Sequence, residues 1–226
     1  MIRLGRLFGV EIRLHLSFIL LPLFFGFYYG WQYGTDTGIK MSVLVLLVFV
    51  IVVGHELSHC WAASRFGIHT PHITLYPMGG VATMQAIPRE PVKEMLISIA
   101  GPLFNFVLAA ALYFPLASYL GSEMLWNPSL DRWEGVWAYL FWVNPVLGLF
   151  NLIPAFPMDG GRVFRAFLAF WLPYKIATRF SVVVGQFFAI IFFLFGIYDK
   201  QWMLCLVGVY VFFAGRAEMR QQINEQ

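Results

Sequence analysis

The chain contains six apolar runs that are long enough, or nearly long enough, to cross a lipid bilayer. A helix needs roughly 17 to 25 residues to span a hydrocarbon core about 30 Å thick. Only 12% of the 226 residues are charged, which leaves too little polar surface to cover a soluble particle. The predicted spans are residues 14–31, 41–63, 94–120, 133–153, 176–197 and 202–216. We therefore predict an all-α polytopic membrane protein, a single membrane-embedded core over residues 1–226 with a polar tail at 217–226.

The basic residues predict which way the spans run. With six spans both termini lie on one side, and twelve of the fifteen Lys and Arg residues fall on that side. The three on the other side are Lys40, Arg132 and Lys200. Because cytoplasmic loops carry the excess of basic residues, we expect a multi-pass protein of the cell membrane with both termini in the cytoplasm. The sequence has no basic stripe interleaved with polar surface, which excludes a nucleic-acid binder.

Residues 67–88 interrupt the helical pattern. They alternate around Gly79 and Gly80 and are bounded by prolines, which is typical of a β-hairpin. Non-helical backbone is tolerated at membrane depth only where protein or a water-filled cavity satisfies its amides. We expect a short membrane-associated hairpin that either offers its edge to an extended peptide or is a purely structural loop.

The second predicted span carries ionisable side chains, which are costly inside a membrane. His55 and His59 are four residues apart and therefore on one helical face, with Glu56 beside the first. Two neutral imidazoles so placed can bind one zinc ion at about 2.0 to 2.1 Å, with the glutamate within reach of a water at that ion. A hydrogen-bonded structural cluster is the alternative, but it would bury three ionisable groups together without a metal.

A catalytic zinc site needs a third protein ligand. The segment at 151–161, NLIPAFPMDGG, is broken by two prolines and carries Asp159 toward the same side of the membrane. Taken alone, Asp159 is explained as the N-cap of a helix that begins at Gly160. His55 and His59 need a third ligand at a similar depth in the membrane, which favours the ligand role for Asp159 instead.

Three motifs together resemble the site-2 protease family of intramembrane zinc metalloproteases, in its compact archaeal and sporulation-protease branch. The motifs are HELSH at 55–59, GPLFN at 101–105 and NLIPAFPMDGG at 151–161. The resemblance implies that His55, His59 and Asp159 bind one Zn2+ per chain and that Glu56 is the catalytic base.

The resemblance also implies a reaction and its partners. The reaction is hydrolysis of a peptide bond within or near the transmembrane segment of a single-span membrane protein, with the active site toward the cytoplasmic side of the lipid bilayer. The resemblance and the hairpin pattern together give as substrate-binding residues Asn151, Gly79, Gly80, Asn105 and Asn144. The sequence leaves the oligomeric state open.

The chain departs from many members of that family. The span pattern leaves no room for an inserted PDZ domain. No pair of cystathionine-β-synthase-type modules follows the last span, so either the protein lacks them or this sequence is the core of a longer one.

Two other functions are compatible with histidines inside a membrane, namely a metal-ion transporter or channel and an inactive scaffold that binds membrane proteins. Transport would place polar residues at successive depths along several helices, whereas here they concentrate at one level. Transport would also give Glu56 no task. Retention of every residue that catalysis needs weighs against the scaffold.

Overall fold

The computed structural model is mainly helical with a four-stranded sheet, and it describes residues 1–77, 79–83 and 88–224. The strands are β1 (Ile2–Leu7), β2 (Val10–Leu14), β3 (His72–Tyr76) and β4 (Gly79–Thr83). The helices are α1 (Leu20–Tyr33), α2 (Thr35–Ser64), α3 (Pro91–Trp126), α4 (Glu134–Asn151), α5 (Asp159–Leu168), α6 (Tyr174–Tyr198) and α7 (Trp202–Asn224). A 3₁₀ turn at Leu16–Ile19 leads into α1.

Four helices of the described ranges are long and apolar enough to cross a membrane. They are α2, α3, α6 and the Trp202–Arg220 part of α7, and they coincide with four of the predicted spans. The predicted start of the first span at residue 14 is wrong, because that residue ends β2 and α1 has only 14 residues. Since α1 and α4 are not among the four, helix length and composition do not confirm the prediction of six spans.

The sheet is larger than the single hairpin that the sequence predicts within a helical protein. Its strand order is β1-β2-β3-β4, with β1 and β2 antiparallel, β2 and β3 parallel, and β3 and β4 antiparallel. The predicted hairpin within 67–88 is confirmed as β3 and β4, although Met78 and residues 84–87 lie outside the described ranges. The N-terminal hairpin of β1 and β2 was not predicted. One face of the sheet packs against Leu57 and Cys60 near the end of α2.

The chain divides into two compact units. The first comprises Met1–Ala86 and Leu103–Gly148 and holds the sheet, α1 and α2. The second comprises Ile87–Pro102 and Leu149–Gln226, and its core joins the segment before α5 to α6 and α7. The predicted polar tail at 217–226 continues α7 as far as Asn224, and its last two residues lie outside the described ranges.

Candidate metal centre

The two histidines of α2 bring the same ring atom toward each other. His55 and His59 are buried one helical turn apart, and their Nε2 atoms are 3.1 Å apart. Two ligands that each lie about 2.0 to 2.1 Å from a tetrahedral zinc ion are roughly 3.3 Å apart. The pair is therefore spaced to hold one ion.

A chain of hydrogen bonds fixes the ring of His55. Asn144 donates from Nδ2 to the carbonyl of Leu140 at 3.0 Å, so its Oδ1 is free to accept from Nδ2 of Asn105 at 3.2 Å. The Oδ1 atom of Asn105 then accepts from Nδ1 of His55 at 2.6 Å. Because an amide oxygen can only accept, the proton of a neutral His55 stays on Nδ1 and the Nε2 lone pair is left for a metal.

Asn105 and Asn144, which the sequence predicts to bind substrate, both belong to this chain of hydrogen bonds, and their substrate-binding role stays a prediction. Both side chains are fully buried, and Asn105 makes hydrogen bonds to Asn144 and to the candidate ligand His55. The signal that singled out Asn105 in the sequence is its place in GPLFN, one of the motifs that carry the family resemblance. That signal does not disclose the partner, which lies 50 positions away.

Asp159 is the first residue of α5 and follows a sharp turn. A Cβ atom at Gly160 would collide with the backbone carbonyls of Leu152 and Ile153, so the turn requires glycine there. The N-cap position is Met158, which makes no capping side-chain hydrogen bond. Asp159 is thus not the N-cap of a helix that begins at Gly160, as one interpretation of the sequence required.

His55, His59 and Asp159 form a group that could hold a metal ion. One ligand atom from each lies within 4.8 Å of the other two. Two imidazole nitrogens and one carboxylate oxygen form a donor set that suits zinc, and three protein ligands leave the fourth position open, as in catalytic zinc sites. The residues present therefore fit a zinc ion.

Glu56 follows His55 in α2 and lies against strand β4. A Cβ atom at Gly80 would lie 2.6 Å from Cγ of Glu56, so a side chain at position 80 would displace the glutamate. Gly79 begins β4 with a φ of +131°. Asn151 is the last residue of α4 and is half-buried.

Sequence reasoning missed a buried charge cluster around Arg165 of α5. Its Nη2 and Nε donate to Oε1 of Glu94 at 2.5 and 2.9 Å, and its Nη1 donates to Glu218. The guanidinium also lies over the rings of Phe156 and Tyr174, 4.9 and 5.0 Å from their centroids. The sequence predicts for Arg165 only a place among the basic residues of one membrane side, because nothing in the pattern indicates its acidic partners.

The chain matches the family model described as Peptidase family M50 over residues 43–127 and 124–195. It is 38% identical over 225 residues to a zinc metalloprotease of Methanocaldococcus jannaschii, covering 97% of this chain and 60% of the relative. It is 28% identical over 159 residues to the stage IV sporulation protein FB of Bacillus subtilis, covering 70% and 51%. Among solved structures, the site-2 protease from Methanocaldococcus jannaschii gives a TM-score of 0.69 at 36% identity, covering 96% of this chain and 94% of that one. The chain thus spans only 60% and 51% of the length of these two curated relatives.

Proposed function

Because the chain belongs to peptidase family M50, whose model matches most of its length, we propose that it is an intramembrane zinc metalloendopeptidase. The reaction is hydrolysis of a peptide bond within or near the transmembrane segment of a single-span membrane protein, as in regulated intramembrane proteolysis. The observation that carries this proposal is the grouping of His55, His59 and Asp159, with Glu56 next to the first of them.

Each residue of this group has a separate task. The three ligands would hold the zinc ion, which when bound supplies the positive charge that acidifies a water molecule and polarises the scissile carbonyl. Glu56 accepts the proton that the attacking water loses and delivers it to the leaving nitrogen. Asn105 keeps the proton of a neutral His55 on Nδ1, so that the Nε2 lone pair can bind the metal.

Strand β4 is the proposed binding place of the substrate. A helical substrate has its carbonyls hydrogen-bonded, so it must unwind before the bond can be attacked. β4 is an edge of the sheet in the described ranges, and Gly80 brings it against Glu56. A substrate strand added to this edge would run past the base. The family resemblance supports Asn151 as a further polar contact to the substrate.

The proposal includes α1 as a membrane span. β2 and β3 pair in one sheet and so lie on the same side of the membrane, although the 30-residue α2 separates them in the chain. The chain must therefore cross the membrane an even number of times between β2 and β3. If α2 crosses once, α1 must cross as well. The 3₁₀ turn before α1 extends its helical length, which supports a crossing.

The same reasoning supports α4 as a span. Lys40, near the start of α2, donates from Nζ to the carbonyls of Leu130 and Asp131 at 3.1 and 2.7 Å, so the α3–α4 loop lies on the side opposite the sheet. Arg165 pairs with Glu94 at the start of α3, on the side of the sheet. Asp131 and Arg165 then lie on opposite sides of the membrane, so the chain between them crosses it. We assign this crossing to α4, the helix that lies between these two residues.

Six spans put both termini on the side of the sheet, together with most of the basic residues. Twelve of the fifteen fall there. They are Arg3, Arg6, Arg13, Arg65, Arg89, Lys93, Arg162, Arg165, Lys175, Arg179, Arg216 and Arg220. Because basic residues accumulate in the cytoplasm, this side and the sheet-side end of α2, which carries the two histidines, face the cytoplasm.

Replacing Glu56 with glutamine tests the proposed function. In vesicles that contain a single-span test substrate, E56Q should cleave about 10²- to 10⁴-fold more slowly because the base is lost, and it should keep its zinc. The matched control is Glu90→Gln, which removes an exposed carboxylate paired only with Lys93 in the described contacts and should cleave as the unaltered protein does. Cleavage rate and zinc content are measured on the same samples.

Two results would contradict the proposal. An E56Q variant that cleaves normally would remove Glu56 from the role of base. Unaltered protein that holds zinc but cleaves no test substrate would favour the transporter or the scaffold. A chelator should abolish cleavage and added zinc should restore it, which separates metal-dependent cleavage from a contaminating protease.

A further inference from the structure

The N-terminal hairpin holds a phenylalanine in a strained and exposed turn. Phe8 and Gly9 join β1 to β2, with φ values of +51° and +84°. Two-residue turns of this kind favour Asn or Gly, and positive φ is unfavourable for a bulky side chain. The Phe8 side chain is nevertheless 92% exposed. A strained backbone that holds an apolar ring in an exposed position indicates that the ring contacts another surface, such as a partner or a membrane.

Phe8 adjoins other exposed apolar residues of the edge strand β1. The other apolar side chains of β1 and the N-terminal residue are all exposed as well. The apolar edge consists of Met1, Ile2, Leu4, Leu7 and Phe8.

The other face of the hairpin is basic. Arg6 lies opposite Glu11, and Arg3 lies opposite Arg13, across the β1–β2 pair. Glu11 pairs with Arg3 at 3.1 Å, Arg13 at 3.0 Å and Arg6 at 4.0 Å. The hydrogen bond from Arg13, with the charges of Arg3 and Arg6, holds the pKa of Glu11 below its ordinary value. Three guanidinium groups therefore share one carboxylate, and positive charge remains in excess.

We infer that this hairpin is an interfacial anchor, which inserts its apolar edge into a membrane leaflet and binds anionic lipid headgroups through Arg3 and Arg6. An aromatic ring beside exposed arginines suits the boundary between acyl chains and headgroups. Each arginine near an anionic surface strengthens such binding by about fivefold. The anchor does not depend on the proposed protease activity, since it concerns lipid alone.

A second copy of the chain is a poorer occupant of this edge. The register of β1 shifts between Arg3 and Gly5, which breaks the regular ladder that strand addition needs. Pairing β1 with another β1 would also add two exposed arginines from each copy to one small surface, where like charges repel. Charge complementarity instead favours an anionic lipid surface.

The anchor has a consequence for the rest of the sheet. β1 connects through β2 and β3 to β4, and β4 lies against Glu56. A hairpin held at the headgroup level therefore fixes the depth of the strand beside the proposed base.

A spin label at residue 8 tests the anchor. The label is attached to Phe8→Cys in a chain whose buried cysteines, Cys60 and Cys205, are replaced by alanine. The protein is reconstituted in phosphatidylcholine vesicles with or without phosphatidylglycerol. Collisions with lipid-soluble oxygen and with a water-soluble nickel chelate then report where the label lies.

The expected result is that the label meets oxygen in the anionic vesicles and shifts toward the chelate when phosphatidylglycerol is left out. Arg3→Glu together with Arg6→Glu should shift the lipid-to-water ratio by at least about 25-fold. Arg179→Glu with Arg216→Glu makes the same change in charge at exposed residues elsewhere and should leave the ratio unchanged. Salt at about 1 M, where the Debye length is about 3 Å, should weaken the insertion without any substitution in the hairpin.

Three results would overturn the inference. A label that stays in water in both kinds of vesicle rules out insertion. If contact of the label with lipid is unchanged by both the arginine substitutions and salt, headgroup binding is ruled out. A label shielded from both collision partners, with broadening between labels, would indicate a second copy on this edge.

Discussion

The orientation of the His55 ring is determined by a backbone carbonyl two asparagines away. The carbonyl oxygen of Leu140 can only accept a hydrogen bond, so Asn144 donates to it. Asn105 then donates to Asn144, and His55 donates to Asn105. A metal-binding histidine whose other nitrogen is held in this way loses fewer rotamers and tautomers when the metal arrives. Asn105 is therefore a positioning residue in our proposal.

We predict that Asn105→Ala lowers zinc affinity by about 10- to 100-fold, because His55 loses the acceptor that selects its tautomer. Asn105→Asp keeps an oxygen acceptor for Nδ1 of His55, although it loses the donor to Asn144, and it should recover part of the affinity. Zinc dissociation constants, measured by competition with a chelator dye, give the comparison. Asn127→Ala, which removes an exposed amide at the end of α3, is the matched control and should bind zinc normally.

Kinetics separate this role from the substrate-binding role that the sequence predicts for Asn105. A positioning residue affects zinc affinity, whereas a substrate contact affects KM at saturating zinc. If Asn105→Ala raised KM and left the zinc dissociation constant unchanged, the contact with His55 would be incidental.

Ligand types were predictable from sequence, but the residues that hold them were not. A spacing of four residues places His55 and His59 together by helix geometry alone. Asp159 required an argument from depth, because 100 positions separate it from His59 in the chain. The contact of Asn105 with His55 depends on how α2 and α3 pack, and no periodicity within either helix encodes that packing.

At the level of elements, apolar length predicted helices well and short strands poorly. The predicted span 176–197 became α6 at Tyr174–Tyr198, since a long uninterrupted run admits few other structures. β1 and β2 have six and five residues, and their pairing depends on a turn with Phe8 where Asn or Gly is typical. Because β2 runs directly into an apolar segment, its last residue, Leu14, was assigned to the first predicted span.

Helix α5 is held by the buried pair of Arg165 and Glu94. Both are almost fully buried, so Glu94→Gln leaves the Arg165 guanidinium in a poorly solvated place with Glu218 as its remaining carboxylate partner in the described contacts. We predict that Glu94→Gln lowers the free energy of unfolding by about 1 to 3 kcal/mol. The measurement is an unfolding titration in detergent, followed by circular dichroism.

The exposed pair of Arg132 and Glu134 provides the matched control. Its side chains are 69% and 33% exposed, so water solvates the partner that remains. Glu134→Gln should cost about 0 to 1 kcal/mol. Equal losses for the two variants would show that the Arg165 cluster contributes no more than a surface ion pair.

On the scale of the whole molecule, the contacts between elements constrain the membrane topology more strongly than hydropathy does. Among the residues that the structure describes, hydropathy and length identify four helices that could cross a membrane. In our proposal, α1 crosses because β2 pairs with β3 on one side of the membrane, and α4 crosses because of the contacts of Lys40 and Arg165. Parity therefore supports two spans that composition alone leaves undecided, because strands of one sheet cannot lie on opposite sides of a bilayer.

Labelling of single cysteines distinguishes six spans from four. With both termini in the cytoplasm, six spans place Asn127 outside and Arg65 inside, whereas crossing by α2, α3, α6 and α7 alone would reverse both. We predict that Asn127→Cys reacts with a membrane-impermeant maleimide in intact cells, and that Arg65→Cys reacts only after permeabilisation. Cys60 and Cys205 are replaced by alanine in both variants. If Arg65→Cys reacted in intact cells and Asn127→Cys reacted only after permeabilisation, α1 and α4 would not cross the membrane. That topology would be incompatible with the pairing of β2 and β3 in one sheet.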